Sequence, residues 1–490
     1  MSELDRLVNT CLLPGVTAGT APDWAHTGLD AGLPGFVLFP GAPDGDAAAG
    51  STDAVLHSAR ALRATAPDAL IGVDEEGGDV TRLESDHGSS YPGNLALGVA
   101  DDLGTTARVA AALAADLRAA GVNLSLAPSV DVNSDPDNPV IGVRSFGQDP
   151  RLVGAHSAAF IGAVQAAGVA ACAKHFPGHG ATVVDSHHAL AVVDCDLATF
   201  RSRELPPFVS AIEAGVRSVM AANVLFPALD AEHPANLSRA LLHGLLREEL
   251  GYEGVVIGTA IAIAGPLPAA ELGRTAVDSL RAGADLLLLG PGEGERVWHD
   301  VRDAVVAAVR AGELDAELLE AAAQRVADLR RWAAPADRSA GLEAARRAVR
   351  AEGTVALPGP ATVVELVAAG NVVAGDAHWE LAGPLAELGL LARTIRTSAA
   401  EASAKAILAA ADGTPLVLAV RDAHRAEEAA ALVAELLAGR PDAVLIAVGM
   451  PEDTALTTGA SIRTYGAGAV NTRAAAELLA GRGSAQAVRD

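Results

Sequence analysis

Short apolar runs alternate with helical stretches from the start of the chain to about residue 330. A parallel sheet with helices on both faces produces this pattern, because strands buried on both sides read as continuous apolar segments. Seven runs are apparent, and an eighth strand is expected to be irregular or hidden, which predicts a (β/α)8 barrel. The seven runs are Gly35–Phe39, Leu70–Val73, Val122–Ala127, Val169–Ala173, Val216–Ala221, Gly254–Ile257 and Asp285–Leu289.

The pattern changes after the predicted barrel. The segment Arg331–Gly341 reads RWAAPADRSAG, and this content of proline, alanine and glycine is typical of a linker. Three further apolar runs, separated by helices rich in Ala, Leu and Glu, predict a second and smaller domain: Thr362–Leu366, Pro415–Val420 and Ala443–Val448. The fold class is therefore α/β, with a barrel at residues 1–332, a linker at 333–342 and an α/β sandwich domain at 343–490.

The charge of the chain restricts its partners. The 490 residues carry a formal net charge of −25, and 50% of them are hydrophobic while only 3% are aromatic. An aliphatic core of this size suits two domains. A surface this acidic repels phosphate backbones and anionic lipid, so we expect no nucleic-acid partner and no membrane association.

The cysteines and the amino terminus indicate a reducing compartment. Cys11, Cys172 and Cys195 are too few and too scattered for a disulfide framework or a zinc site. The opening MSELDRLVNTCLLPG lacks the basic and apolar regions of a signal peptide, and no apolar run is long enough to span a membrane. We therefore expect a cytoplasmic protein without a resident metal or cofactor.

Polar residues follow most of the predicted barrel strands. In a barrel of this type the active site forms at the carboxyl ends of the strands, so these residues are candidates for chemistry. Each of them taken alone is more often a helix cap, a turn former or a solvated charge. In strand order they are Asp74, Glu75, Glu76 and Arg82; Asp131 and Arg144; Lys174 and His175; Asn223; and Thr259.

The loop after the fourth strand is unusually crowded. The stretch CAKHFPGHGATVVDSHH holds four histidines, an aspartate and a lysine among glycine and proline. Zinc binding is one interpretation, but Pro177 breaks any helix that would space the histidines as ligands. Proton transfer is the other, because Asp185 lies two residues before His187 and can orient and charge its imidazole.

Taken together, the motifs resemble glycoside hydrolase family 3. The segments KHFPGHG and DSHH, with VDEEGG, NPVIGVRSFGQDP and LREELGYEGVV, are similar to its β-N-acetylglucosaminidase branch of the NagZ type. The resemblance runs through about residues 10–330, and RTYGAGAVNTRAAAELLAGR is similar to the carboxyl-terminal domain of two-domain members. It implies a small carbohydrate ligand such as an N-acetylglucosaminide, and no cofactor.

The resemblance also implies roles for individual residues. One group matches the positions that hold the hydroxyls and the N-acetyl group of the terminal sugar: Asp74, Arg82, Arg144, Lys174 and His175. His187, paired with Asp185, matches the loop histidine that this branch uses as general acid and base. A carboxylate that accepts from hydroxyls and cations that donate to oxygens suit the first role. An imidazole with a pKa near 6.5 suits the second.

One position departs from the family in a way that affects the chemistry. The nucleophilic aspartate of the family aligns with Thr259, and no carboxylate lies between Glu253 and Glu271. Threonine is neutral and weakly nucleophilic without a base, and it cannot stabilise an oxocarbenium-like transition state as a carboxylate does. Asn223 and Asp79 also replace the histidine and arginine usual in the family. Glu75 and Asp79 are the carboxylates that could compensate.

Three functional hypotheses follow. The chain is a glycosidase with altered or very weak hydrolysis, a catalytically inactive sugar-binding or regulatory relative, or a chain that retains only the fold. Retention of the sugar-holding residues argues against the last hypothesis. The intact Asp185–His187 pair favours an enzyme, because binding alone needs no proton shuttle. We expect Asp74, Arg144, Lys174, His175 and Thr259 to converge at one end of the barrel.

Overall fold

The structure is a computed structural model that describes residues 1–39, 51–184, 190–258, 269–290, 294–334, 339–367 and 379–482. The chain divides into two compact units, Met1–Pro335 and Ala336–Asp490. Each unit has its own sheet and its own buried hydrophobic clusters.

The first unit is an α/β barrel in which every pair of neighbouring strands is parallel. Among the described residues its sheet has nine strand segments: β1 (Leu12–Leu13), β2 (Gly15–Thr17), β3 (Gly35–Phe39), β4 (Leu70–Val73), β5 (Leu124–Ser125), β6 (Ala170–Phe176), β8 (Ser218–Ala221), β10 (Val255–Gly258) and β11 (Leu286–Leu288). A separate parallel pair joins β7 (Ala191–Val192) to β9 (Val224–Leu225).

The irregular strand of the barrel is the first one. Pro14 divides it into β1, which pairs with β11, and β2, which pairs with β3. The backbone N–H of Val37 still donates to the Pro14 carbonyl at 2.9 Å, and that of Leu289 donates to the Leu13 carbonyl at 3.0 Å. Counted as one strand, this segment connects the two ends of the sheet and makes the eighth strand of the barrel.

Helices cover the outside of the barrel. They are α1 (Glu3–Thr10), α2 (Asp23–Asp30), α3 (Thr52–Thr65), α4 (Asn94–Ala100), α5 (Leu103–Ala119), α6 (Pro150–Ala166), α7 (Leu197–Thr199), α8 (Leu205–Glu213), α9 (Ala269–Ala282), α10 (Gly294–Arg310) and α11 (Ala316–Ala333). Side-chain caps begin several of them; Asp102, for example, accepts from the amides of Gly104 and Thr105 before α5. No helix in the described ranges has the length and apolar character needed to cross a bilayer.

Shorter helical turns complete this unit. Gly142–Arg144 and Ala235–Leu237 are 3₁₀ turns, while Phe200–Glu204 and Ala240–Glu249 are π-helical. The predicted linker is partly helical, because α11 continues to Ala333 and α12 begins at Ser339.

The second unit is an open sheet with helices packed against it. Its strands are β12 (Arg350–Glu352), β13 (Ala361–Leu366), β14 (Leu391–Thr397), β15 (Leu416–Val420), β16 (Val444–Ala447) and β17 (Ser461–Arg463), in the order β12-β17-β16-β15-β13-β14. Only β12 is antiparallel to its neighbour among these described strands. The helices are α12 (Ser339–Ala348), α13 (Ala382–Glu387), α14 (Ala404–Ala410), α15 (Glu427–Gly439) and α16 (Ala469–Leu479), with 3₁₀ turns at Ala423–Arg425 and Pro451–Leu456.

Candidate active site

A buried ionic cluster lies at the carboxyl ends of β4 and β6. The Lys174 Nζ lies 2.6 Å from Asp74 Oδ1 and 2.7 Å from Glu76 Oε1. Arg144 donates from Nη2 to Glu76 Oε1 at 2.8 Å and from Nε to Oε2 at 3.1 Å. The exposed fractions of Lys174 and Glu76 are only 1% and 2%, so each charge depends on the others for compensation.

The alternation of side chains along extended backbone explains which carboxylates join this cluster. After β4, Asp74 and Glu76 point to the Lys174 side, and Glu75 between them points away. The Glu75 Oε2 accepts from the amides of Arg82 and Leu83 at 2.7 and 3.0 Å and from the Thr81 hydroxyl at 3.1 Å. Glu75 therefore stabilises the backbone of its own loop.

Arg82 and Asp79 differ in their relation to the cluster. The positive charge of Arg82 acts on Asp74, and its buried Nε has no hydrogen-bond partner in the described part of the chain. Arg82 is thus placed to add a donor beside Asp74. Asp79 is exposed.

His175 is held by a buried aspartate on the neighbouring loop. Asp131 Oδ2 lies 2.9 Å from His175 Nδ1, while Asp131 Oδ1 accepts from the His175 amide at 3.2 Å and the His179 amide at 2.8 Å. The Ser129 hydroxyl donates to Oδ2 at 2.8 Å. A carboxylate at Nδ1 favours the tautomer with the proton there, which leaves Nε2 as the acceptor nitrogen of a neutral ring.

The electrostatic balance fixes the protonation of these groups. Burial opposes ionisation of Asp74 and Glu76, but the adjacent Lys174 outweighs it and lowers the pKa of both carboxyls. Burial, together with Arg144 and Lys174, lowers the pKa of His175 to about 4 despite the attraction of Asp131. At neutral pH the cluster therefore contains ionised carboxylates and cations beside a neutral imidazole.

The loop after β5 is ordered by side-chain amides and hydroxyls. Asn94 donates to the Arg144 carbonyl at 2.7 Å, and Ser145 donates to the Asp131 carbonyl at 2.6 Å. Asn138 donates to the His179 carbonyl at 2.8 Å and so connects this loop to the one after β6. Through these bonds the loop brings Arg144 to Glu76 although Arg144 is far from β5 in sequence.

The structure brings together four of the sequence-predicted residues: Asp74, Arg144, Lys174 and His175. Thr259, Asp185 and His187 lie outside the described residues. Glu76 and Asp131 were noted after their strands but not assigned to the site. The period-2 alternation from Asp74 could have identified Glu76, whereas the pairing of Asp131 with His175 depends on loop geometry that no motif indicates.

The segment that contains Asp185 and His187 is bounded by anchored residues. Before it, His179 and Thr182 are buried, and the His179 Nδ1 lies 2.8 Å from the Thr182 hydroxyl. After it, β7 pairs with β9, which follows β8. Among the described residues no group of three or more His, Cys, Asp or Glu side chains is arranged to hold a metal ion.

A cavity of about 420 Å³ lies away from this cluster. It opens beside Arg217 and Gly254, which precede β8 and β10 and so mark the amino ends of these strands. The Arg217 guanidinium lies 4.7 Å from the centre of the Trp332 ring in its wall. Because barrel chemistry occurs at the opposite ends of the strands, the ionic cluster is the better candidate for the active site.

Comparison with known proteins decides the family. The sequence profile of the glycosyl hydrolase family 3 N-terminal domain matches residues 44–329. The chain belongs to glycoside hydrolase family 3. It is 37% identical over 254 residues to beta-hexosaminidase A of Pseudoalteromonas piscicida, covering 49% of this chain and 42% of that protein. It is 36% identical over 241 residues to a beta-hexosaminidase of Methylococcus capsulatus, covering 49% of this chain and 72% of the relative.

Two solved structures share the fold. A glycoside hydrolase family 3 beta-N-acetylglucosaminidase from Paenibacillus is similar with a TM-score of 0.62 and 30% identity, covering 100% of this chain and 98% of that one. A beta-N-acetylhexosaminidase from Beutenbergia cavernae gives a TM-score of 0.59 with 28% identity, covering 67% of this chain and 99% of the neighbour. The barrel followed by an α/β sandwich is therefore the fold of this family 3 protein.

Proposed function

We propose that the chain binds terminal N-acetyl-β-glucosaminides at the carboxyl edge of the barrel and hydrolyses them very slowly. The observation that carries the proposal is an imbalance within one site. Charged side chains are paired around Lys174, whereas Thr259 aligns, by the resemblance, with the nucleophilic aspartate of the family. The names of the relatives, beta-hexosaminidases and beta-N-acetylglucosaminidases, support this class of sugar.

The cluster supplies the groups that a terminal sugar requires. Asp74 is ionised and 23% exposed, so it can accept hydrogen bonds from adjacent hydroxyls. Lys174 keeps that carboxylate charged and fixed in position, and Arg82, whose charge also acts on Asp74, offers a donor beside it. His175 adds a neutral imidazole held in one orientation by Asp131.

The proposed chemistry divides between a proton carrier and a missing nucleophile. His187, charged and oriented by Asp185, would protonate the leaving oxygen and later take a proton from water. With threonine at position 259 the usual covalent glycosyl intermediate does not form, so attack on carbon 1 falls to the substrate's own N-acetyl oxygen, to water, to phosphate or to a displaced carboxylate. Loss of a covalent nucleophile costs on the order of 10⁴–10⁶ in rate in other enzymes.

The two carboxylates expected to compensate are poorly placed for attack. Glu75 is committed to the loop backbone on the side away from Lys174, and Asp79 is exposed. This favours the second candidate function, a sugar-binding or regulatory relative without turnover. Under either function the site holds the same ligand, so the two differ only in rate.

Turnover of a chromogenic N-acetyl-β-glucosaminide tests the proposal. Thr259→Asp should raise hydrolysis by roughly 10³-fold or more, because it restores the attacking carboxylate that the resemblance assigns to this position. Wild type should bind N-acetylglucosamine by calorimetry and show little turnover. The exposed Thr458→Asp in the second unit is the matched control and should change neither quantity.

Two results would contradict this assignment. Efficient turnover by wild type, unaffected or harmed by Thr259→Asp, would require another attacking group. Absence of sugar binding in both proteins at millimolar ligand would leave only the conserved fold.

A further inference from the structure

Glu204 is a buried carboxyl group that the proposed chemistry does not use. It ends the π-helical turn Phe200–Glu204, and its exposed fraction is 1%. Its Oε1 accepts from the Arg203 Nε at 2.5 Å, while its Oε2 is buried and has no hydrogen-bond partner among the described residues. A buried carboxyl oxygen without a hydrogen bond destabilises the fold, so a nonpolar side chain at this position would make the protein more stable.

The unpartnered oxygen lies against the loop that follows β6. A Cβ atom on Gly178 would lie 2.5 Å from Glu204 Oε2, and Gly178 has a φ of +138°, which only glycine adopts readily. On the other side of the loop, a Cβ on Gly180 would lie 1.9 Å from the Val132 carbonyl oxygen. The loop is thus held between the Glu204 side chain and the backbone after β5.

His179 connects the contact between Glu204 and the loop to the candidate site. His179 lies between the two glycines, and its amide donates to Asp131 Oδ1 at 2.8 Å. The same aspartate orients His175 beside the ionic cluster. A displacement of the loop at Gly178 would therefore change the hydrogen bonds that fix His175.

Charge connects the same groups. Among the described residues, Arg203 on the same turn and Asp131 in the loop after β5 are the charged groups that act on Glu204. The Cys195 thiol lies within reach of the Glu204 charge. Ionised Glu204 would be only partly compensated by Arg203 and would repel the carboxylate of Asp131.

We propose that Glu204 is a positioning residue whose neutral form holds the loop of residues 177–182 against Asp131 and whose ionisation loosens that loop. The inference rests on the proposed function, because its consequence is a fall in affinity for N-acetylglucosamine as the pH rises through neutrality. Burial, opposed by Arg203 and aided by Asp131, raises the pKa of Glu204 to about 7, which places the transition near physiological pH.

Calorimetric titration of the 490-residue chain with N-acetylglucosamine from pH 5.5 to 8.5 tests the inference. Wild type should lose affinity by about three- to tenfold across this range, since one pKa unit corresponds to a tenfold change in equilibrium. Glu204→Gln is permanently neutral and nearly isosteric, so it should remove this component of the pH dependence. Glu213→Gln, an exposed carboxyl at the end of α8, is the matched control and should behave as wild type.

A second variant makes the result independent of how well Glu204→Gln folds. Arg203 lowers the pKa of Glu204, so Arg203→Met should move the midpoint of the affinity change to higher pH. A variant that only damaged the structure would weaken binding at every pH without moving the midpoint.

Hydrogen exchange of the peptide that spans residues 174–184 separates this inference from the proposed function. The exchange protection, corrected for intrinsic rates, should fall above pH 7 in wild type and stay constant in Glu204→Gln. Identical pH profiles in both proteins would overturn the positioning role and leave the sugar site intact. A protection change without any sugar binding would overturn the proposed function and support the role of Glu204.

Discussion

Each unit of this chain contains a histidine held by a buried aspartate, and the two pairs differ in their surroundings. In the barrel, Asp131 bonds the amide and Nδ1 of His175, and both of its oxygens have further donors. In the second unit, Asp453 Oδ1 lies 2.8 Å from the His424 amide and 2.6 Å from its Nδ1. Asp453 Oδ2 is buried and has no partner in the described part of the chain.

The difference shows what makes such a pair part of a site. Lys174 and Arg144 act on His175, and these cations are themselves bound to Asp74 and Glu76. His424 belongs to a short turn after β15 whose Arg425 pairs with Asp422 of the same turn. Both pairs therefore have the same aspartate–histidine geometry, but among the described residues only the pair in the barrel lies beside an ionic cluster that could bind a sugar. Three predictions test this contrast.

Removal of Lys174 should have the largest effect. Lys174→Met leaves Asp74 and Glu76 buried together without their shared cation, which costs about 3–5 kcal/mol for a broken buried pair. Sugar binding should be lost with it. Scanning calorimetry would show the barrel transition moving to lower temperature.

The matched control lies on the surface of the second unit. Arg346→Met removes an exposed pair with Glu477, in which the Arg346 Nε lies 2.7 Å from Glu477 Oε2, and it should leave both transitions in place. An unchanged barrel transition in Lys174→Met would show that the cluster does not depend on this cation.

Replacement of the two aspartates should have different consequences. Asp131→Asn directs an amide group toward N–H and O–H groups that donate to the carboxylate. We therefore expect the free energy of unfolding to fall by about 2–3 kcal/mol. Because His175 loses its orientation, affinity for N-acetylglucosamine should fall at least about tenfold, which corresponds to 1.4 kcal/mol. Asp453→Asn should leave that affinity unchanged. Equal losses of sugar affinity in both variants would remove the distinction between the two pairs.

The sequence predicted the fold wherever strands are apolar and uninterrupted. Gly35–Phe39 and Leu70–Val73 match β3 and β4 at both ends. The divided first strand was not identified, because Pro14 breaks the apolar pattern into β1 and β2. Edge strand β14 was missed since its sequence LARTIRT is polar and mostly exposed. Burial on both faces is thus the property that made the other strands recognisable.

The sequence could predict those site residues that lie at the end of a strand or directly after it. Asp74, Lys174 and His175 lie at or just after β4 and β6, and a pattern of strands followed by polar residues identifies them. Arg144, Asp131 and Glu204 meet their partners through loops of irregular backbone, which no periodicity describes. The sequence offered Glu75 as a compensating carboxylate, and the alternation after β4 explains why its side chain instead bonds the backbone of its own loop.

The smallest expected effect is a pH dependence of barrel stability between pH 7 and 4.5. The folded pKa of His175 is depressed to about 4 from its usual 6.5, so the unfolded chain binds more protons in this interval. The stability contributed by neutral His175 is fully present above pH 6.5 and is lost as the pH falls toward 4. Lys174 outweighs burial and lowers the pKa of the Asp74 and Glu76 carboxyls. The stability that these ionised carboxylates contribute is therefore lost at still lower pH.

Glu204 has the opposite effect to His175 on the pH dependence of stability, so a Glu204 variant serves as the control. Its pKa is raised to about 7, so its neutral form stabilises the barrel at low pH and that contribution is lost as the pH rises from about 4.5 to 7. Chemical denaturation should show little net change in the free energy of unfolding of wild type between pH 7 and 4.5, because the two shifts are similar in size and opposite in sign. Glu204→Gln should lose more than wild type and His175→Asn less, because each variant removes one of two opposing contributions. A reversed order would mean that His175 is already protonated in the folded barrel, and the barrel pair would then lack the neutral imidazole that distinguishes it.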